Sequence, residues 1–227
     1  MYNIARTFLV LLTLALSACA TSPPIITATA LEKGPAVFLL SGLGGELGYQ
    51  PFADAVAKLG YVAFLADANN FIYTWSDAGE NFQKLMTAVQ QNPRVIPGKV
   101  AIIGFSLGGR AALVYGTSQR ETVSAVIAFY PAITGIRNIS QTAAQVAVPT
   151  LILSGEKDRF FNCCLIGSMH EFEAAARNAG APVTLVTYPG AAHGFNLEAY
   201  PMQYRPGDAA DAWERTKLFL QEHHPLP

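Results

Sequence analysis

The sequence has no basic stripe. Its 15 lysines and arginines are balanced by 16 acidic residues, so nothing offers nucleic acid an electrostatic footprint. It also lacks an apolar run of about 20 residues, the length a membrane-crossing helix needs. Cysteine is scarce, with three residues at Cys19, Cys163 and Cys164, and histidine is limited to four. No spaced set of His, Cys and Asp converges along the chain, so no metal site is expected. Internal repeats and low-complexity blocks are absent too. What is present is apolar residues, 51% of a chain of 227, which suits one compact α/β domain.

The first residues stand apart from that domain. MYNIAR carries one arginine, and TFLVLLTLALSA follows as a short apolar run ending in small residues. This order is that of a secretory signal peptide. Its end, Leu16-Ser17-Ala18-Cys19, resembles a bacterial lipobox. The resemblance implies cleavage before Cys19, lipidation of that residue, and a place in the cell envelope facing the periplasm. Ala20 after the cysteine favours the outer membrane on the same resemblance. The alternative is an ordinary signal peptide in which Cys19 is incidental. A single acyl chain holds only marginally, so stable anchoring would take more than one. On this reading residues 1–18 are the signal and residues 19–34, ATSPPIITATALEKG after the cysteine, form an aperiodic lipidated tether. Residues 35–227 form the domain.

Within the domain, apolar runs alternate with helical patterns, as in a parallel sheet built from βαβ units. Strands are expected at 36–40, 61–67, 99–105, 123–131, 149–158 (running into a turn) and 183–190, with helices between them and a closing helix to residue 224. The runs are continuously apolar, so helices must cover both faces of the sheet. Residues 132–148 are less apolar at first and are open to reading as a lid. Chemistry in such folds gathers beyond the carboxyl ends of strands.

Gly104-Phe105-Ser106-Leu107-Gly108 lies at one such end, between the strand KVAIIGF and the helix LGGRAALVYGTS. The spacing G-x-S-x-G is that of a nucleophile elbow, where a tight turn forces the serine into a strained backbone and leaves no room for its neighbours' side chains. Gly-rich turns also occur without catalysis, so the pentapeptide needs partners. A serine hydroxyl requires a base, and the chain order for this fold is serine, acid, histidine. Asp158, in SGEKD, and His193, in YPGAAHGF, each follow a strand in that order. Glu156 and Asp67 are rival acids. His170 belongs to a helix, and His223 and His224 fall in a tail expected to fray. The expected oxyanion donors are the backbone N–H groups of Leu107 and of Leu43, in the turn SGLGG. The mechanism calls for neither metal nor cofactor.

GFSLGGRAA, LILSGEKDRF, TYPGAAHGFN and the final AADAWERTKLFL together resemble the dienelactone hydrolase family of the α/β-hydrolase fold. The resemblance covers most of residues 36–222 and implies Ser106, Asp158 and His193 as a triad hydrolysing a small ester or lactone. The namesake enzymes use cysteine where this chain has Ser106, which shifts the expectation toward a general serine esterase. Arg110 and Arg205 are candidates for holding a substrate carboxylate. Phe160-Phe161-Asn162-Cys163-Cys164 follows the acid, with both rings expected in the pocket wall and the cysteines either bridged or buried thiols. A peptidase or acyltransferase on the same fold, and a non-catalytic binding lipoprotein, are the competing readings.

Overall fold

The computed structural model describes residues 33–69 and 77–227 and the backbone of 25–29. The signal segment, Cys19, most of the tether and the connection at 70–76 lie outside the described residues. In chain order the elements are β1 Ile25–Thr29, β2 Ala36–Leu40, α1 Gln50–Lys58, β3 Val62–Ala66 and α2 Ala78–Gln90. Then come β4 Val100–Phe105, α3 Leu107–Ala111 with a π-helical continuation Ala112–Gly116, β5 Val123–Phe129 and α4 Ile139–Ala144. β6 Thr150–Gly155, α5 Ile166–Asn178, β7 Val183–Tyr188 and α6 Pro206–His223 complete the chain.

The strands form one sheet in the order β1-β3-β2-β4-β5-β6-β7, and β2 through β7 are all parallel. Alternate residues of each strand serve opposite faces. Val37, Leu39, Ile103 and Phe105 pack against α1 and α6. Phe38, Leu40, Val62 and Ile102 meet α2 on the other face. Further along that face, Ala128 and Ile152 meet α4 and α5. Burial on both faces explains the continuous apolar runs of the sequence.

Phe105 is the centre of the first layer. Its ring stacks on Phe129 at 4.9 Å and meets Phe52 edge-on at 5.1 Å. Phe105→Ala is expected to destabilise the fold by about 3–5 kcal/mol. Urea unfolding would show this as a lower midpoint at unchanged slope.

Two expectations are corrected, and the open reading of residues 132–148 is decided. Residues 25–29, read as part of an aperiodic tether, pair antiparallel with β3, from Ile25↔Ala66 to Thr29↔Val62. Without them β3 would be an open edge, and IITAT shows neither a continuous apolar run nor strict alternation over its five residues. Residues 132–148 are not a lid: Ile133, Ile136, Ala143 and Val146 are buried against α5, and Asn138 caps α4 by accepting from the Gln141 N–H at 2.9 Å. The C-terminal tail does not fray. Tyr61 Oη donates to the His224 carbonyl at 2.9 Å, the two rings stack, and His224 Nδ1 bonds Ser124 Oγ at 2.9 Å.

Candidate active site

Every parallel strand points its carboxyl end toward one edge of the molecule, and the site is built on that edge. β4 stops at Phe105 and α3 starts at Leu107, leaving Ser106 alone in the turn with φ 51° and ψ −108°. An L residue adopts this region only when its surroundings impose it. Here its N–H donates to the Phe129 carbonyl at 2.9 Å, and its carbonyl accepts from Ala132 at 2.8 Å and Arg110 at 3.0 Å. The flanking glycines are a steric necessity. A Cβ on Gly104 would lie 2.6 Å from the Gly108 carbonyl carbon, and one on Gly108 would lie 2.5 Å from the Ser41 oxygen.

Asp158 and His193 arrive on the loops after β6 and β7. Ser106 Oγ lies 3.0 Å from His193 Nε2, and His193 Nδ1 lies 2.7 Å from Asp158 Oδ2. The Asp158 side chain is 0% exposed, and its other oxygen, Oδ1, accepts the Phe160 N–H at 3.0 Å. A carboxylate only accepts, so Nδ1 carries the proton and Nε2 is left free to accept the serine hydroxyl. The imidazole is also fixed by rings. Phe160 stacks on it at 4.3 Å and 5°, and Tyr130 meets it edge-on at 4.7 Å. The rival acids have other work: Asp67 Oδ1 accepts from the Asn69 backbone at 2.9 Å and Glu156 Oε1 from Thr187 Oγ1 at 2.8 Å. His170 is exposed on α5 and His224 lies at the opposite edge.

The turn after β2 is clamped to the elbow, because the Gly108 N–H donates to the Ser41 carbonyl at 3.0 Å. Among the described residues no acceptor takes the backbone N–H of Leu43 or of Leu107. Leu43 lines the same cavity as Ser106 and His193, a space of about 290 Å³ whose walls also include Tyr49, Tyr130, Phe160 and Tyr200. Among the described residues no lysine, arginine or carboxylate lines it. Burial, with Tyr200 beside it, pushes the Tyr49 phenol up. Tyr130 is pushed up in the same way, chiefly by burial. Both hydroxyls therefore stay neutral, and that of Tyr130 donates to Asn196 Oδ1 at 2.9 Å.

Several sequence candidates fall elsewhere. Arg205 pairs with Asp208 at 2.5 Å and packs over Gly190, while Arg110 lies against Gly135; neither lines the cavity. Phe160 walls the cavity, but Phe161 points to solvent at 82% exposure. The tyrosines escaped the sequence. Tyr130 carries the signal that found Ser106, since it directly follows a parallel strand.

Cys163 and Cys164 form a disulfide with each other. Their sulfurs and a ring nitrogen of His193 lie within 4.8 Å of one another, so a His/Cys set does converge, contrary to the expectation. Two residues with left-handed backbone, Phe161 and Asn162, immediately precede the cysteines. The set is not available to a metal as built: the sulfurs are bonded to each other and both His193 nitrogens are engaged.

The dienelactone hydrolase family profile matches residues 73–224. The chain belongs to the dienelactone hydrolase family. A protein of Aquifex aeolicus named "Putative carboxymethylenebutenolidase" is 28% identical over 218 residues, covering 86% of this chain and 91% of that one. Two solved structures have the same fold as this dienelactone hydrolase family member. One is a dienelactone hydrolase-like promiscuous phosphotriesterase from metagenomic libraries, with TM-score 0.72, 18% identity and coverage of 85% of this chain and 88% of that one. The other is a thermophilic esterase of Thermogutta terrifontis, with TM-score 0.64, 20% identity and coverage of 89% and 90%.

Proposed function

We propose that the protein is a serine hydrolase that cleaves small, neutral carboxylic esters or lactones through an acyl-enzyme on Ser106. The observation that carries this reading is the hydrogen-bonded chain Ser106–His193–Asp158 opening into an aromatic cavity. His193 Nε2 takes the Ser106 proton as Oγ attacks the carbonyl, then returns it to the leaving alcohol or ring oxygen. Asp158 holds the imidazole and stabilises its cation. The N–H groups of Leu107 and Leu43 receive the oxyanion, each worth roughly 3–4 kcal/mol of barrier. Water repeats the sequence to release the acid and regenerate Ser106. The family membership and the curated relative's name support hydrolysis of an ester bond in a lactone.

The name carboxymethylenebutenolidase denotes a substrate with a free carboxyl group. This cavity offers such a group no cation, and a carboxylate desolvated without a partner is strongly disfavoured. For this chain we therefore place a neutral substrate in the cavity. The test is the ratio of kcat/KM for p-nitrophenyl butyrate and p-nitrophenyl hemisuccinate, which differ by a terminal carboxylate. The neutral ester is expected to be preferred by about tenfold or more, the equivalent of about 1.4 kcal/mol. Equal values would refute the neutral-substrate reading. Turnover of peptides with a free N-terminus, with both esters inert, would instead make the protein a peptidase.

We extend the proposal to the chain outside the described residues. Residues 1–18 act as a signal peptide, Cys19 is lipidated, and the hydrolase domain is held in the bacterial envelope. The support is the order of MYNIAR, the apolar run and LSAC. Among the described residues no helix is long and apolar enough to cross a membrane.

A further inference from the structure

Exposed apolar surface is concentrated at the mouth of the cavity. Eight large apolar side chains are exposed among the described residues, and five of them, Leu43, Leu47, Phe160, Phe161 and Met202, lie on the three loops that frame Ser106. Leu43 and Phe160 line the cavity, and Phe161 meets Phe160 edge-on at 4.6 Å. Leu47 and Met202 are 92% exposed, the first between cavity residues Gly44 and Tyr49, the second between Tyr200 and Gln203. Apolar groups gathered on one face mark an interaction surface. Lys157 and Arg159 are exposed beside the phenylalanines, and Glu198 on the Met202 loop, so the face carries both signs of charge and it is the apolar tips that suit a lipid surface.

An independent observation points the same way. β1 runs antiparallel to β3, so its first residue, Ile25, sits beside Ala66 at the carboxyl end of β3. The chain therefore enters the sheet on the edge that carries the site. From Cys19 to Ile25 even a fully extended backbone spans only about 20 Å. We propose that the cavity mouth rests on the bilayer that holds the N-terminus, with Leu47, Phe161 and Met202 in the boundary between headgroups and acyl chains. The substrate then enters Ser106's cavity from the lipid side. The docking rests on the anchor reading above, and only its last step rests on the hydrolase reading.

The test uses the full chain, processed by its own signal and reconstituted in phosphatidylcholine–phosphatidylglycerol vesicles with or without brominated acyl chains. Leu47→Trp and Met202→Trp report on the mouth. Ile96→Trp reports on the opposite edge, where Ile96 follows the bridge between Val95 and Gly34, just before β2. The parent, with Trp75 and Trp213, sets the baseline, and circular dichroism confirms each fold. In brominated vesicles the Leu47→Trp and Met202→Trp chains are expected to lose the emission of the added indole, while the Ile96→Trp chain behaves as the parent does. In protein that floats with vesicles, equal quenching of all three or no quenching of any would overturn the docking; failure to float would overturn the anchor reading and the docking with it. Hydrolysis of soluble p-nitrophenyl butyrate in detergent is read separately. Its survival with docking lost sinks only the docking, and its loss with docking intact sinks the hydrolase reading.

Discussion

Ser106→Ala is expected to lower kcat for p-nitrophenyl butyrate by on the order of 10⁶-fold, to the level of catalysis by binding and oxyanion contacts alone. The variant should also escape labelling by a fluorophosphonate probe that adds one adduct to the parent. The substitution isolates the hydroxyl. Alanine keeps the Cβ and meets the same backbone demand at φ 51° that serine already meets. The hydroxyl's partner is His193 Nε2 at 3.0 Å, and the backbone bonds to Phe129, Ala132 and Arg110 are untouched. Melting temperature is therefore expected to stay close to the parent's while activity vanishes. A variant that still turns over ester near the parental rate would show that another group attacks the carbonyl.

Asp158→Asn is expected to lower kcat by about 10⁴-fold, by a route specific to this loop. Asp158 Oδ1 accepts the Phe160 N–H while Oδ2 faces His193 Nδ1. In asparagine the carbonyl oxygen must stay on the Phe160 N–H, because the amide nitrogen has no acceptor to offer it. The NH₂ then faces Nδ1, which must give up its proton to accept. The imidazole proton moves to Nε2, where it points at Ser106 Oγ and cannot receive the serine's own. The loss should fall on kcat and kcat/KM together with KM little changed, as for an interaction made in the transition state. An unchanged kcat would mean that Asp158 does not orient the base.

How much of this was legible depends on the range of the forces involved. Strands β2 to β6 announce themselves because burial on both faces favours a nearly unbroken apolar run, a property of consecutive residues, while β7 (VTLVTY), only partly buried, shows itself by its β-branched residues. Ser106, Asp158 and His193 are legible for a related reason: each lies just past such a run, and the topology brings those ends to one edge. β1 was not legible, since IITAT becomes a strand only because β3 has an edge to cover. Nor was the fastening of His224, which depends on Tyr61 and Ser124. The wall of Tyr49, Tyr130 and Tyr200 is assembled from the start of α1, the end of β5 and the loop before α6. No local pattern links those positions. The same is true of Arg110 and Arg205, whose exclusion from the cavity is decided by packing against Gly135 and Gly190.

The bridge between Cys163 and Cys164 joins residues one apart in the chain. A cross-link raises global stability mainly by removing conformations from the unfolded polymer, and the gain grows with the logarithm of the loop it closes. Neighbouring residues enclose almost no loop, so the unfolded chain loses little freedom and the domain gains little resistance to heat or denaturant. What the bond restricts is the folded state, one peptide unit between the left-handed turn and α5. The Cys163 carbonyl is held there by the Thr134 N–H and hydroxyl, each at 3.0 Å, and Phe160 donates to Asp158 at the other end. The bridge thus stiffens one peptide unit of the loop whose Cys163 N–H donates to the Phe160 carbonyl, with little part in keeping the protein folded.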